Sequence, residues 1–159
     1  MSQDLCLPCD DGILNIRVGA IIMKDGKFLM AGNERFPHLY SVGGRIKFGE
    51  TAEEAVIREV FEETGVKMEV DRLGFVQECF FPGDTEFRKG NIVHEISFYY
   101  YMKVPKDFEP VSYSFTEDGN PEFLKWITVD EPQTFYPEFF RTELKNPSLN
   151  VKHYVTSDV

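Results

Sequence analysis

Three glutamates, Glu59, Glu62 and Glu63, stand at positions i, i+3 and i+4 of a segment with helical character. This spacing places the three side chains on one face of a helix, where each like-charged pair destabilises the helix by about 0.2–0.5 kcal/mol. A hard divalent cation removes that repulsion, and Mg²⁺ prefers carboxylate and water oxygens. The cluster therefore predicts either a metal site or, as the alternative, an acidic helix face exposed to solvent.

The residues around this cluster have types that suit a phosphate-binding metal site. Glu50 lies just before the helix, and Arg58 is the nearest basic partner for the carboxylates. The Gly43-Gly44 pair has no side chains, so its backbone can approach a ligand closely. On the pattern of charge alone, the metal site and the solvated helix face both stay open.

The segment from Gly44 to Val66, GRIKFGETAEEAVIREVFEETGV, resembles a complete Nudix box. That box is written G-x₅-E-x₇-R-E-U-x-E-E-x-G-U, where U is a bulky aliphatic residue. All seven fixed letters match, and valines fill both aliphatic positions. At background frequencies near 6% per residue, seven such matches arise by chance roughly once in 10⁹ starting points. The chain is accordingly identified as similar to the Nudix hydrolase family from about Asn15 to Leu144.

The resemblance implies a metal-dependent hydrolase with Mg²⁺ as its cofactor and Mn²⁺ as a substitute. In Nudix enzymes the glutamates of R-E-U-x-E-E bind the metal ions, which implies Glu59, Glu62 and Glu63 as ligands here. Gly44 matches a position whose backbone carbonyl can join the metal ligands. Glu50 and Arg58 match positions that support or orient the metal-binding helix.

The implied reaction is hydrolytic attack of water on a diphosphate bond of a nucleoside diphosphate linked to another group. A carboxylate then accepts the proton, and Glu59 is one candidate for this base. Glu95 is another candidate, and a further metal ligand, because a carboxylate within an apolar strand needs a partner. A solvent-facing strand position is the alternative for Glu95. His94 lies on the opposite, apolar face of that strand and is predicted to be a core or edge histidine.

The elements that position these residues are predicted from local patterns. Two strands are expected, at Ile13–Met23 and Lys27–Met30, with a turn at Asp25-Gly26 between them. A loop at Gly32–Leu39 follows. A short strand at Tyr40–Val42 comes next, and Gly43-Gly44 is expected to end it. A capping box at Thr51 and Glu54 predicts a helix over Ala52–Thr64. Strands follow at Val66–Phe81, Ile92–Met102 and Glu122–Val129, then a helix between Pro132 and Lys145. The pattern predicts the α+β class, and the resemblance implies a mixed sheet between helices, an α/β/α arrangement.

Length and composition point to one domain over residues 1–159, with peripheral tails at 1–12 and 146–159. The net charge of −10 disfavours nucleic-acid and membrane partners and leaves a small nucleotide substrate, with a homodimer as an open alternative. No apolar run reaches the roughly 18 residues that a membrane-spanning helix needs, and residues 1–10 do not resemble a signal peptide. A cytoplasmic location is therefore expected. Cys6 and Cys9 form a C-x-x-C without the further ligands that a zinc site needs, and are predicted to lie in the N-terminal tail.

The identity of the substrate and its binding residues stays open at this stage. Phe80, Phe81, Tyr99 and Tyr101 could stack on a base, although aromatic residues in strands are usually core residues. The segment Pro82–Glu86 is faintly similar to a proline-bearing segment of ADP-ribose-cleaving members, and a plain loop is the alternative. Nucleoside triphosphates and sugar-linked nucleoside diphosphates both remain candidates. A non-catalytic Nudix-fold nucleotide-binding or sensor module is the alternative function.

Overall fold

A computed structural model of the protein describes residues 2–83, 91–110, 113–115 and 121–159. Its elements, in chain order, are β1 (Cys6–Cys9), β2 (Gly12–Ile21), β3 (Met23–Lys24), β4 (Lys27–Asn33), β5 (Leu39–Arg45), α1 (Ala52–Thr64), β6 (Glu69–Pro82), β7 (Ile92–Lys103), β8 (Tyr113–Phe115), β9 (Pro121–Ile127), β10 (Phe135–Tyr136), α2 (Phe140–Glu143) and β11 (Lys152–Ser157).

The strands of the described residues form one connected mixed sheet. The order of its main path is β11-β6-β7-β2-β5-β4-β9-β8, while β1, β10 and β3 pair at the sides with β2, β5 and β4. The β2–β7, β6–β11 and β5–β10 pairs are parallel, and the other pairs are antiparallel. The predicted α+β mixed sheet is therefore confirmed.

Apolar side chains on the two faces of the sheet pack against different helices. On one face, Val18, Ala20 and Val42 form a core with Val56 and Val60 of α1. On the other face, aromatic residues pack around α2; they include Phe28, Phe75, Tyr99, Phe135 and Phe140. The sheet thus lies between the two helices, as the Nudix fold requires.

The box helix α1 has the predicted bounds of Ala52–Thr64. The Thr51 hydroxyl accepts a hydrogen bond from the Glu54 N–H at 3.0 Å, and the Glu54 carboxylate accepts one from the Thr51 N–H at 3.1 Å. Gly65 ends the helix in the left-handed conformation, with φ 77°, and Gly pays little steric cost there. These local capping signals explain why the sequence predicts this element so well.

One predicted boundary is wrong, and it involves a contact that is distant in sequence. Strand β5 continues through Gly43 and Gly44 to Arg45 instead of ending at Val42, because the glycines let β2 approach: a Cβ on Gly43 would lie 2.1 Å from the Val18 carbonyl oxygen. The predicted second helix between Pro132 and Lys145 is confirmed as the four-residue helix α2, and Phe135–Tyr136 before it pairs with β5 as a strand.

The predicted tails contain strands at the edge of the sheet. Strand β1, with Cys6 and Cys9, pairs with β2, and both cysteines are free thiols. Strand β11 pairs with β6 and stacks Tyr154 on Phe139, with ring centroids 4.2 Å apart. The predicted interruption of β6 near Gly74 is confirmed as a shift in register between Leu73 and Phe75. Most of residues 82–90, for which the sequence predicts a polar turn, lie outside the described residues. The sequence also predicts an irregular segment at 105–120; residues 105–110 are irregular as expected, but Tyr113–Phe115 form strand β8. Residues 111–112 and 116–120 lie outside the described residues.

Candidate active site

Arg58 connects the loop before α1 to the helix itself. Its Nε and Nη2 atoms donate to the two carboxylate oxygens of Glu50 at 2.7 and 2.9 Å, which is a bidentate pair. Nη2 also donates to the Arg45 carbonyl at 3.0 Å, and Glu50 accepts the Lys47 N–H at 3.0 Å. Arg58 and Glu50 therefore hold the loop against the helix, and their role in supporting the metal-binding helix stays a prediction.

Glu59 lies against the glycine turn. A Cβ on Gly44 would be 2.4 Å from the Glu59 carboxylate, so only glycine leaves room for this side chain. Nη1 of Arg58 donates to Glu59 at 2.9 Å. Burial raises the pKa of Glu59 to about 7, although Arg58 acts to lower it. A carboxyl group that titrates near neutral pH suits the general base of a hydrolytic reaction.

Glu63 is the most buried of the box glutamates, with 8% of its surface exposed. Its carboxylate accepts the Gly43 N–H at 2.8 Å, which ties the end of α1 to β5. Burial raises the pKa of Glu63 well above its usual value, and the adjoining carboxyl group of Glu122 raises it further. Two carboxyl groups in contact within a buried site resist double ionisation unless a cation accompanies them.

Glu122 and Tyr40 belong to this site and escaped the sequence analysis. Glu122 is 5% exposed and accepts a hydrogen bond from the Tyr40 hydroxyl at 2.5 Å. Asn33 donates to the same hydroxyl at 3.2 Å. The signal that singled out Glu95, a carboxylate inside an apolar strand, also applies to Glu122. That signal could have found Glu122, whereas its pairing with Glu63 depends on the tertiary fold.

Glu62 differs from the other two predicted ligands because 52% of its side chain is exposed. It contacts Nη1 of Arg58 at 3.4 Å, so Arg58 reaches Glu50, Glu59 and Glu62 at once. Arg58 thus contacts Glu59 and Glu62, whereas Glu63 contacts the Gly43 N–H instead.

The donor chemistry of this cluster fits a hard divalent cation. Carboxylate oxygens dominate, the pKa of Glu59 and that of Glu63 are both raised, and the absence of a side chain at Gly44 lets the Glu59 carboxylate lie against the backbone. Over the described ranges, no three His, Cys, Asp or Glu side chains converge as a set of metal ligands. Arg58 supplies the counter-charge that draws Glu50, Glu59 and Glu62 towards itself.

Glu95 lies on the β2–β7 pair, apart from the Arg58 cluster. Its carboxylate accepts a hydrogen bond from Asn15 Nδ2 at 2.8 Å and a longer one from the Ser97 hydroxyl at 3.5 Å. No contact joins it to the box glutamates among the residues that the structure places. It shares only an electrostatic neighbour with them, Arg17, whose charge interacts with Glu95 and with Glu59.

The remaining candidates occupy core or peripheral positions. Tyr99 and Tyr101 are buried in the aromatic core, so they are not exposed to stack on a base. His94 stacks on Phe80, with ring centroids 4.4 Å apart, and its buried Nε2 has no hydrogen-bond partner in the described part of the chain. Pro82 ends β6, and the rest of the proline-bearing segment, residues 84–86, lies outside the described residues.

A NUDIX domain family model matches residues 14–145, which is most of the chain. The chain therefore belongs to the Nudix family, and the predicted membership of the Nudix hydrolases is confirmed. One curated relative is an ADP-ribose pyrophosphatase of Methanocaldococcus jannaschii, 43% identical over 61 residues, or 36% of each protein. The chain thus matches only about a third of that relative's length. None of the helices in the described segments has the length and apolar character to span a bilayer.

Solved structures of three further proteins share the fold. The MutT protein from Bacillus halodurans is 20% identical, with a TM-score of 0.60 and coverage of 89% of this chain and 90% of that one. A UDP-X diphosphatase is 17% identical, with a TM-score of 0.58 and coverage of 88% and 66%. An ADP-ribose pyrophosphatase from Streptococcus suis is 14% identical, with a TM-score of 0.56 and coverage of 87% and 98%. At these identities the likeness shows the fold alone.

Proposed function

We propose that this protein is a Mg²⁺-dependent Nudix pyrophosphohydrolase that cleaves the diphosphate bond of a nucleoside diphosphate linked to another group. The observation that carries the proposal is a complete Nudix box in which Glu59 lies beside Gly44 and Glu63 accepts the Gly43 N–H. The name of the curated relative, an ADP-ribose pyrophosphatase, favours a linked nucleoside diphosphate over a nucleoside triphosphate. We further propose that residues 1–159 act as one domain.

The residues that would hold the cation are Glu59, Glu62 and Glu63, with the Gly44 carbonyl oxygen. When bound, Mg²⁺ or Mn²⁺ neutralises the diphosphate and lowers the pKa of the attacking water. Arg58 and Glu50 keep the loop and the helix in register, so that the carboxylates stay next to the glycine turn.

Glu59 is the residue that we propose as the general base. Its pKa of about 7 matches the operating range of a base at neutral pH. Glu95 is less suited, because its carboxylate is engaged by Asn15 and makes no contact with the box glutamates among the described residues. A pH–rate profile of Glu95→Gln separates the two assignments, because the acidic limb should persist if Glu59 is the base and disappear if Glu95 is the base.

Product analysis on a nucleotide panel tests the function directly. With Mg²⁺ or Mn²⁺ present, we expect ADP-ribose or nucleotide sugars to yield two monophosphate-bearing fragments. Pyrophosphate plus a nucleoside monophosphate would indicate a triphosphate substrate instead. If no member of the panel is hydrolysed with either metal, the proposal is wrong, and a non-catalytic nucleotide-binding module becomes the better explanation. The predicted cytoplasmic location and the open question of a homodimer stay predictions.

A matched pair of glutamate variants on α1 tests the metal assignment. Glu62→Gln should lower turnover by at least about 100-fold, because a charge is lost where the cation is proposed to bind. Glu53→Gln, an equally exposed change on the same helix, should leave turnover within about twofold of the wild type. Both variants should unfold at the wild-type temperature, since both side chains are exposed. An active Glu62→Gln enzyme would contradict the assignment.

A further inference from the structure

The sheet face that carries Glu95 also carries two arginines on neighbouring strands. Arg17 of β2 and Arg45 of β5 are directly opposed in the antiparallel register. Opposed residues project to the same face with Cβ atoms about 4.5–5.5 Å apart, and like charges at such positions destabilise a sheet. The fold therefore holds two guanidinium groups side by side where sheet pairing favours opposite charges.

The two arginines differ in their contacts. Arg45 Nε donates to Asn15 Oδ1 at 3.1 Å, and its Nη1 lies 3.8 Å from the Asp4 carboxylate. Arg17 is partly buried, and within the described part of the chain it makes no side-chain hydrogen bond and no ion pair within 4.0 Å. A guanidinium has five N–H donors, and those of Arg17 stay available to a ligand because no protein acceptor engages them among the described residues.

Arg17 lies within electrostatic reach of both groups of carboxylates. Burial lowers its pKa, but the charge of Glu95 and those of other neighbours, including Glu59 and Glu63, raise it by more. The guanidinium therefore stays charged and interacts electrostatically with Glu95 and with the box glutamates Glu59 and Glu63. Its strand neighbour in register on β7 is Ser97, which is neutral and buried.

We propose that Arg17, with Arg45 beside it, binds a phosphate group of the substrate. This inference rests on the proposed function, because the anion is taken to be the diphosphate that the enzyme cleaves. The planar fork of an arginine matches two phosphate oxygens at once, and an anion between two guanidinium groups removes their repulsion. In a protein of net charge −10, such a pair supplies the local positive charge that an anionic substrate needs.

A purely structural role for Arg17, as the counter-ion of Glu95, explains the contacts less well. The Glu95 carboxylate already accepts from Asn15 at 2.8 Å and approaches the Ser97 hydroxyl. Arg17 comes no closer than 4.0 Å to any carboxylate that the structure describes. A counter-ion normally sits in direct contact, whereas a binding residue keeps its donors for a ligand.

Calorimetric titration with α,β-methylene-ADP in Mg²⁺ tests the proposal without turnover, since this diphosphate resists hydrolysis. Arg17→Gln should weaken binding by about 10- to 100-fold, the loss of a charge-assisted pair of hydrogen bonds. Arg17→Lys should recover only part of the affinity, because lysine keeps the charge but not the fork. Lys27→Gln, which removes a charge from the exposed hairpin turn, should leave the affinity within about twofold of the wild type.

The outcomes separate this inference from the proposed function. Analogue binding that depends on Arg17, in a protein that hydrolyses nothing, would support the phosphate site and contradict the hydrolase. Wild-type affinity in Arg17→Gln together with a lower melting temperature would overturn the phosphate site in favour of a counter-ion. Failure of the wild-type protein to bind the analogue would also overturn it. If Arg17→Gln does not fold, the affinity of Arg17→Lys decides, and an unchanged value counts against the site.

Discussion

Replacing Arg58 with glutamine removes the group that joins the loop to helix α1. The guanidinium makes four contacts of 2.7–3.0 Å, two with Glu50, one with Glu59 and one with the Arg45 carbonyl. Its side chain is 23% exposed and that of Glu50 is 15% exposed, so solvent screens the pair only in part. Glutamine cannot replace a bidentate cation, and both carboxylates would lose their main counter-charge.

The expected loss of stability follows from these contacts. Removing one partner of a buried ion pair costs about 3–5 kcal/mol, and the partial exposure of Arg58 favours the lower end, about 3 kcal/mol. In a domain of this size each kcal/mol shifts the melting temperature by about 2–4 °C, so we expect a drop of about 6–12 °C. Mg²⁺ should raise the melting temperature of the variant more than that of the wild type. In the variant, Glu50 and Glu59 lack the positive charge of Arg58, so a cation stabilises them more.

Thermal unfolding followed by circular dichroism, with EDTA and then with Mg²⁺, measures this effect. Lys27→Gln serves as the control for loss of a positive charge at an exposed position. A double-mutant cycle with Glu50→Gln should give a coupling energy of at least about 1.5 kcal/mol, because the two side chains contact each other directly. A melting temperature within about 2 °C of the wild type, or a coupling energy near zero, would refute the role given to Arg58.

Three further changes probe neighbouring features. Gly44→Ala should lower turnover at least about tenfold, because the new Cβ would lie 2.4 Å from the Glu59 carboxylate and displace that side chain. Steady-state kinetics measures the loss, and an unchanged turnover number would contradict the prediction. Tyr40→Phe should lower the free energy of unfolding by about 1–3 kcal/mol in urea titrations, because a buried carboxylate loses its donor. Hydrogen bonding by Lys152 lowers the pKa of Glu143, so Glu143→Gln should cost about 1 kcal/mol at pH 7. The difference should be fully present above the ordinary glutamate pKa and should be lost as the pH falls through the lowered pKa of native Glu143, because both proteins then carry a neutral side chain. A difference that does not change with pH would contradict this prediction.

The parts of the fold that the sequence predicts well are those set by local signals. Helix α1 has a capping box at its start and a glycine at its end, so its bounds follow from residues within the helix and next to it. The Asp25-Gly26 hairpin is equally local. Both residues take positive φ angles, and Asp-Gly is a preferred pair for turns of that geometry. The motif spacing fixes which glutamates share the helix face. These features need no knowledge of tertiary contacts.

The features that escaped prediction depend on pairing between distant segments. Glycines at 43 and 44 predict a break when taken alone, but here they admit the β2 backbone to a continuous strand. The pairing of Glu63 with Glu122 joins residues far apart in sequence, as does the opposition of Arg17 and Arg45. Sheet register decides both, and a register shift of one residue would turn such side chains to the other face.

The distribution of charge in the site explains why a cation and an anionic substrate belong together there. Arg58 makes a bidentate pair with Glu50 and one hydrogen bond to Glu59. Glu63 has no such cationic partner in this set of contacts and lies against Glu122 in a buried position. Such a site gains stability from any cation that binds the folded state alone, because binding shifts the folding equilibrium by mass action. Arg17 stands within reach of the same carboxylates and keeps its donors unused among the described residues. A diphosphate that carries Mg²⁺ presents one positive centre and several negative oxygens, so it complements both halves of the site, whereas either ion alone would leave one half unpaired.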